Sequence, residues 1–134
     1  MIELNSKRAE VSESQLVLEV TVWFRDTYPD TAYRIDIGAD MPLPRVHRGR
    51  LKVLHGKWSR GHCDMVIYAS TKRFSGLHVE LKTLKAGCPN TEHTRTQAGY
   101  HKVLRKNGYK ADFAIGYLEV TKMITKYMKK RRVK

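Results

Sequence analysis

Asp64 and the triplet Glu80-Leu81-Lys82 are the residues whose types and spacing suit chemistry. The run Gly76-Leu77-His78-Val79-Glu80-Leu81-Lys82 reads as a short strand, apolar at Leu77, Val79 and Leu81. Side chains alternate along a strand, so Glu80 and Lys82 point the same way, away from the apolar set. An acid and a base on a buried strand are costly unless they are paired or employed. Upstream, Gly61-His62-Cys63-Asp64-Met65-Val66-Ile67-Tyr68 gives a second apolar strand that opens on an acid. Two carboxylates on neighbouring strands can hold a divalent cation, because Mg2+ prefers hard oxygen ligands and keeps several waters. Asp64 and Glu80 would supply the carboxylates, and the Leu81 carbonyl a further oxygen. Such a metal lowers the pKa of its water and neutralises charge growing on phosphorus. Lys82, on the same side, would stabilise the same charge and orient the attacking water. The set suits hydrolysis of a phosphodiester with Mg2+ or Mn2+. An Asp followed by Glu-x-Lys is common in unrelated chains, and its weight here comes from two predicted strands in a very basic sequence.

The elements that must position these residues follow from pattern. Ser12-Glu13-Ser14-Gln15 is a helix entry, with Ser12 as cap and Gln15 at the capping-box spacing. Leu16, Val17, Val20, Trp23 and Phe24 form a helical stripe, although the β-branched content keeps a strand in competition. Tyr28-Pro29-Asp30 ends the segment. Ala32 to Ile37 alternates as a strand, and Gly38 to Pro44 is a loop. Arg45 to Trp58 reads as a basic helix or ordered loop, with Arg45, Arg48, Arg50 and Lys52 able to lie along a phosphate backbone. Asp64 to Ala69 and Leu77 to Leu81 are the central strands, joined as a hairpin by the polar turn Ser70 to Gly76. Thr91 to Lys106 is a helix capped by Asn90 or Thr91, with Gly108 past its end and Tyr100, Val103 and Leu104 as its inner stripe. Gln97, one turn before, can face the sheet as well. Ala111 to Tyr117 is a strand and Leu118 to Met128 a last helix. Residues 129–134 form a basic tail that includes Lys129, Lys130, Arg131 and Arg132. The expected fold class is α/β, a small mixed sheet flanked by helices.

Lys and Arg number 26 against 13 Asp and Glu, a net charge of +13 in 134 residues. That one-sided excess favours a polyanion, nucleic acid before membrane, since no basic amphipathic anchor stands out. The length fits a single domain over 1–134 with its own core. No apolar run approaches the ~18 residues that span a bilayer, and no signal segment is evident. A cytoplasmic protein, of a bacterial or virus-infected cell, is expected. That compartment argues against a disulfide between Cys63 and Cys88. The spacing of His62, Cys63, Cys88 and His93 fits no closed zinc pattern.

Taken together, these pieces resemble the VRR-NUC family, the virus-type replication-repair nucleases of the PD-(D/E)xK superfamily. The resemblance runs from about Ser12 to Met128. Ser12-Glu13-Ser14-Gln15 is similar to the first-helix signature with its acid. Tyr28-Pro29 and Leu51-Lys52 fall where larger members have similar pairs. Gly61-His62-Cys63-Asp64 stands where the family has Gly-x-Pro-Asp, and the Glu80 strand resembles GLxxELK. Thr94-Arg95-Thr96-Gln97 is similar to its Ser-x-x-Gln helix, and Asn107-Gly108-Tyr109 matches the turn to the next strand. The resemblance implies a restriction-endonuclease-like core with Asp64 and Glu80 on the metal, Lys82 as catalytic lysine, and Glu13 and Gln97 completing the pocket. Glu19 is the alternative helix acid. It further implies a structure-specific DNA endonuclease acting on branched DNA such as four-way junctions, in some members as a homodimer. Cys63 departs from the family's proline, which shapes backbone, so activity is expected to survive. The loop around Asp36 to Asp40 departs as well.

Each assignment has a plainer rival. Glu80 and Lys82 could be an ion pair on an edge strand, and Glu13 a first-turn acid favoured by the helix dipole. His62, His78, His93 and His101 read as ordinary polar positions. Lys85 and Arg95 join the candidate DNA contacts. The rival functions are a non-cleaving nucleic-acid-binding protein with a nuclease fold and a sequence-specific restriction-type enzyme.

Overall fold

The structure, a computed structural model, describes residues 12–36 and 63–133. Arg45, Arg48, Arg50 and Lys52 lie outside the described residues, as do His62 and residues 37–40. Helix α1 (Glu13–Thr27) opens as its cap predicts, the Ser12 hydroxyl accepting the Gln15 N–H at 3.2 Å. Leu16, Val20 and Phe24 are its buried face, with Val17 and Trp23 beside them, so the helical period wins over the β-branched content. Then come β1 (Tyr33–Ile35), β2 (Met65–Ile67), β3 (Leu77–Lys82), α2 (Glu92–Lys106), β4 (Lys110–Ile115) and α3 (Gly116–Lys129).

The four strands lie in the order β1-β2-β3-β4. The first two pairings are antiparallel, and β3 and β4 are parallel. A parallel neighbour needs a crossover connection, which α2 provides. The sheet is mixed and flanked by helices, as expected from the sequence. Strand β3 is interior, so its charges are not those of an edge. Leu77, Val79 and Leu81 are fully buried against Leu16, Val20 and Phe24 of α1 and Val120, Ile124 and Met128 of α3. Alternation sends His78, Glu80 and Lys82 to the other face. There the register sets Ala111 and Phe113 of β4 beside His78 and Glu80. The buried residues of α2 are Thr94, Gln97, His101 and Leu104, spaced by three or four. The predicted stripe was rotated by part of a turn: Val103 is exposed, and His101 is buried in its stead.

Other differences are local. Strand β2 is shorter than Asp64 to Ala69, and β4 stops two residues before Tyr117. The cause at β4 is Gly116, whose φ of +82° turns the chain straight from strand into helix. The Glu119 carboxylate accepts the Ile115 N–H across that junction. Gly76 stands at a close approach: a Cβ there would sit 3.1 Å from the Ile67 carbonyl oxygen, tighter than most such contacts. The start of the basic tail is tied down. The Arg132 N–H donates to the Ser70 carbonyl at 2.8 Å, and Arg131 pairs with Thr71. The Arg131 guanidinium donates to the Met128 carbonyl at 2.7 Å and lies over the Tyr28 ring. Among the described residues no helix is long and apolar enough to cross a membrane.

Candidate active site

The β2–β3 register assembles the acids. Met65 faces Val79, and one further antiparallel step sets Asp64 opposite Glu80. Asp64 Oδ2 accepts the Leu81 N–H at 2.8 Å, so its side chain is held over the β3 backbone. Helix α1 contributes a third acid from its first turn. Ligand oxygens of Glu13, Asp64 and Glu80 all lie within 4.8 Å of one another. Glu80 is buried, Asp64 half-buried and Glu13 exposed, so the cluster opens to solvent on the Glu13 side. Glu19, six positions on, is turned by about 240° around the helix. It lines a different groove with Trp23 and Tyr117.

A buried amide links the acid to the base. Lys82 Nζ donates to Gln97 Oε1 at 2.9 Å, and Gln97 Nε2 donates to Glu80 Oε1 at 2.6 Å. An ammonium only donates and a carboxylate only accepts, so the Gln97 amide has one orientation that satisfies both. Lys82 is only 8% exposed and Gln97 3%. The Lys82 ammonium also sits 5.8 Å from the Phe113 ring centre. Gln97 therefore bridges Lys82 and Glu80 across β3 and α2.

Crowding the acids perturbs them. Burial first, and then the facing Asp64 charge, push the Glu80 carboxyl up to about 10. Burial raises Asp64 to about 6, opposed first by hydrogen bonding to the Glu80 carboxyl and then by the Leu81 N–H, with the Glu13 charge adding to the rise and the Lys82 charge opposing it. Glu80 Oε2 is buried and has no hydrogen-bond partner among the described residues. Like charges opposite each other across a strand pair are destabilising. A divalent cation reverses that logic, because it is the largest local charge wherever it binds. An all-oxygen donor set of this kind fits Mg2+ or Mn2+. Asp64, Glu80 and Glu13 are the side chains that would hold such an ion.

Two residues beside the cluster were not expected there: Cys63 stood in a different candidate zinc set, and His101 read as an ordinary polar position. Cys63 and His101 are buried, and their donor atoms lie within 4.8 Å of each other and of Glu80. Burial pushes the Cys63 thiol up, and burial and then the Arg105 charge lower His101 to about 4. The signal for His101 was its place four residues after Gln97, on one helix face. Cys88, by contrast, is an exposed free thiol, and His93 is exposed as well. The structure thus does not join Cys88 and His93 to Cys63.

The candidate DNA contacts divide in two. Lys85, in the connection after β3, and Arg95, in the first turn of α2, are exposed near the Lys82 end of the sheet. Arg95 donates to Asn90 Oδ1 at 3.1 Å. Lys129 and Lys130 are exposed, but with Arg131 and Arg132 they adjoin the turn that precedes β3. The length of β3 separates that end from Lys82 by about 17 Å.

No family profile and no curated protein matches this chain. Among solved structures, one described as a "VRR_NUC domain protein" matches with a TM-score of 0.63 at 21% sequence identity, over 90% of each chain. The chain has the fold of a VRR_NUC domain protein. This is the family that the ordered motifs resemble. Within the VRR_NUC fold, Asp64, Glu80 and Lys82 stand at the meeting of β2 and β3, and the cluster draws its remaining members from the first turn of α1 and the buried face of α2.

Proposed function

We propose that the protein is a metal-dependent DNA endonuclease that acts on branched DNA, four-way junctions in particular. The observation that supports this most is the convergence of Glu13, Asp64 and Glu80 within 4.8 Å beside a buried Lys82. Asp64 and Glu80 hold Mg2+ or Mn2+, with Glu13 and the Leu81 carbonyl as further oxygens. When bound, the ion supplies Lewis-acid neutralisation of the charge that grows on phosphorus and activates water. Lys82 adds a fixed ammonium for the same charge and orients the water that attacks phosphorus as the P–O bond to the leaving strand breaks. Gln97 keeps that ammonium and the Glu80 carboxylate in register, which is the preorganisation such a site needs. The net charge of +13 supports a polyanionic substrate. Lys85 and Arg95 flank the cluster and lie along the backbone near the scissile phosphate. One small domain reaches one strand of a junction, so a homodimer with two-fold related sites suits paired nicks.

The deciding experiment compares nicking of a labelled four-way junction and of a linear duplex in Mg2+ or Mn2+. The expected result is junction-selective nicking that is lost in Asp64→Ala, Glu80→Ala and Lys82→Ala while junction binding persists. Undiminished cleavage by Asp64→Ala protein would sink the mechanism. Junction binding with no cleavage in either metal would indicate a non-cleaving binder. Discrete fragments from linear plasmid would indicate a sequence-specific enzyme.

A further inference from the structure

Glu80 belongs to two donor groups. One of them, with Asp64 and Glu13, is made of oxygens alone. The other joins Glu80 to Cys63 and His101, whose donor atoms all lie within 4.8 Å of one another. This second group lies on the α2 side of the sheet and is more deeply buried. Cys63 is 4% exposed, Glu80 2% and His101 1%. Both His101 ring nitrogens and Glu80 Oε2 are buried without a hydrogen-bond partner among the described residues. A buried imidazole normally has at least one, and an orphaned buried polar group is destabilising. The His101 and Phe113 ring centres lie 4.6 Å apart with the planes at 60°.

We propose that Cys63, His101 and Glu80 form a site for a zinc-class ion, distinct from the oxygen-only set and competing with it for Glu80. A thiolate, an imidazole and a carboxylate are three protein ligands of the type that zinc takes, with a fourth position left for water or substrate. Mg2+ has no use for sulfur and demands oxygens in octahedral array. Tetrahedral zinc holds its ligand atoms about 3.3–3.8 Å apart, a spacing inside the 4.8 Å that bounds this trio. Gln97 Nε2 already occupies Glu80 Oε1, so Oε2 is the oxygen that both ions require. A zinc-class ion therefore withdraws Glu80 from Asp64 and opposes the hard ion. The competition rests on the metal assignment proposed above; the binding itself does not.

The test uses Co2+ as a spectroscopic stand-in for zinc on the full chain with Cys88→Ser, which removes the exposed thiol. Expected is a near-ultraviolet thiolate-to-cobalt band that saturates at one ion per chain and is displaced by Zn2+. The band should vanish in Cys63→Ser and weaken at least tenfold in affinity in His101→Gln, each checked for native circular dichroism. A large excess of Mg2+ should weaken the apparent cobalt affinity at least tenfold. Absence of the band in the folded Cys88→Ser protein overturns the site, as does a band that survives Cys63→Ser. An unchanged affinity in His101→Gln does the same and keeps the idea testable if Cys63→Ser fails to fold. Cobalt binding indifferent to Mg2+ overturns the shared carboxylate. The band is read without DNA, so its absence leaves junction nicking untouched, and a failure of nicking leaves the band.

Discussion

Replacing Glu80 with Gln should make the metal-free protein more stable at pH 8 and flatten its pH dependence. Gln preserves the shape and still offers an oxygen to Gln97 Nε2, which lies 2.6 Å from Glu80 Oε1. What it removes is a carboxyl whose folded value, about 10, lies far above the ordinary 4.5. Such a group binds its proton more tightly in the folded chain than in the unfolded one. Its stabilising effect is complete below the unfolded value and is lost as pH rises through the folded value. In the window between, the folded chain holds one extra proton, and each pH unit costs about 1.4 kcal/mol. From pH 6 to pH 8, wild type should lose roughly 3 kcal/mol through this group, a loss that Glu80→Gln escapes. For a chain of 134 residues that is roughly 10 °C in Tm. The assay is thermal unfolding by circular dichroism at pH 6, 7 and 8 in EDTA, with wild type and variant side by side. Every other titrating group is common to both, so the difference isolates Glu80 and its effect on Asp64. Parallel pH slopes for the two proteins would refute the reasoning, because they would mean that Glu80 is already ionised in the folded chain at pH 6.

The remaining expectations follow from the same geometry. Mn2+ at a hundred times its Kd should raise the stability of wild type at pH 8 by about 2.7 kcal/mol, and Asp64→Asn should abolish the Tm shift. Gln97→Leu leaves the Lys82 ammonium and Glu80 Oε1 without the amide that joins them. It should cost about 1–3 kcal/mol for each group in denaturant unfolding and lower cleavage more than tenfold with DNA binding retained. Lys85→Ala and Arg95→Ala should each weaken DNA binding and reduce the log–log salt slope by about 1, measured by anisotropy. Arg131→Ala, which loses contacts to Met128 and Tyr28 instead, should lower Tm and leave that slope unchanged.

The strand half of the site was legible because period two is a rigid rule. Once Leu77, Val79 and Leu81 were placed in the core, Glu80 and Lys82 had to share the opposite face, and a hairpin brought Asp64 across. The cap at Ser12 and the turn at Gly108 were equally local, each set by a single residue's chemistry. The ends of β4 and α3 were not, because one glycine at positive φ replaced the loop that a strand-to-helix change usually shows. The choice between Glu13 and Glu19 was open in sequence, since either suits a helix surface. Tertiary packing brings one of them to the cluster: Leu16, Val20 and Phe24 dock on β3, and that rotation carries Glu13 beside Asp64.

The helix α2 shows why a histidine is harder to find than a lysine on a strand. Its apolar residues alone, Tyr100, Val103 and Leu104, draw a face displaced from the true one. The buried face is instead Thr94, Gln97, His101 and Leu104, three of them polar. A helix that covers a charged strand cannot be apolar along its whole inner side, because Glu80 and Lys82 need partners there. Gln97 supplies both. It follows that the polar residues of α2 at the spacing of Gln97 are the ones that the sheet selects, and His101, one turn on, is selected by the same face. Its two ring nitrogens, which have no hydrogen-bond partner among the described residues, lie beside Cys63 and Glu80, and the cobalt spectrum measures whether that group takes an ion.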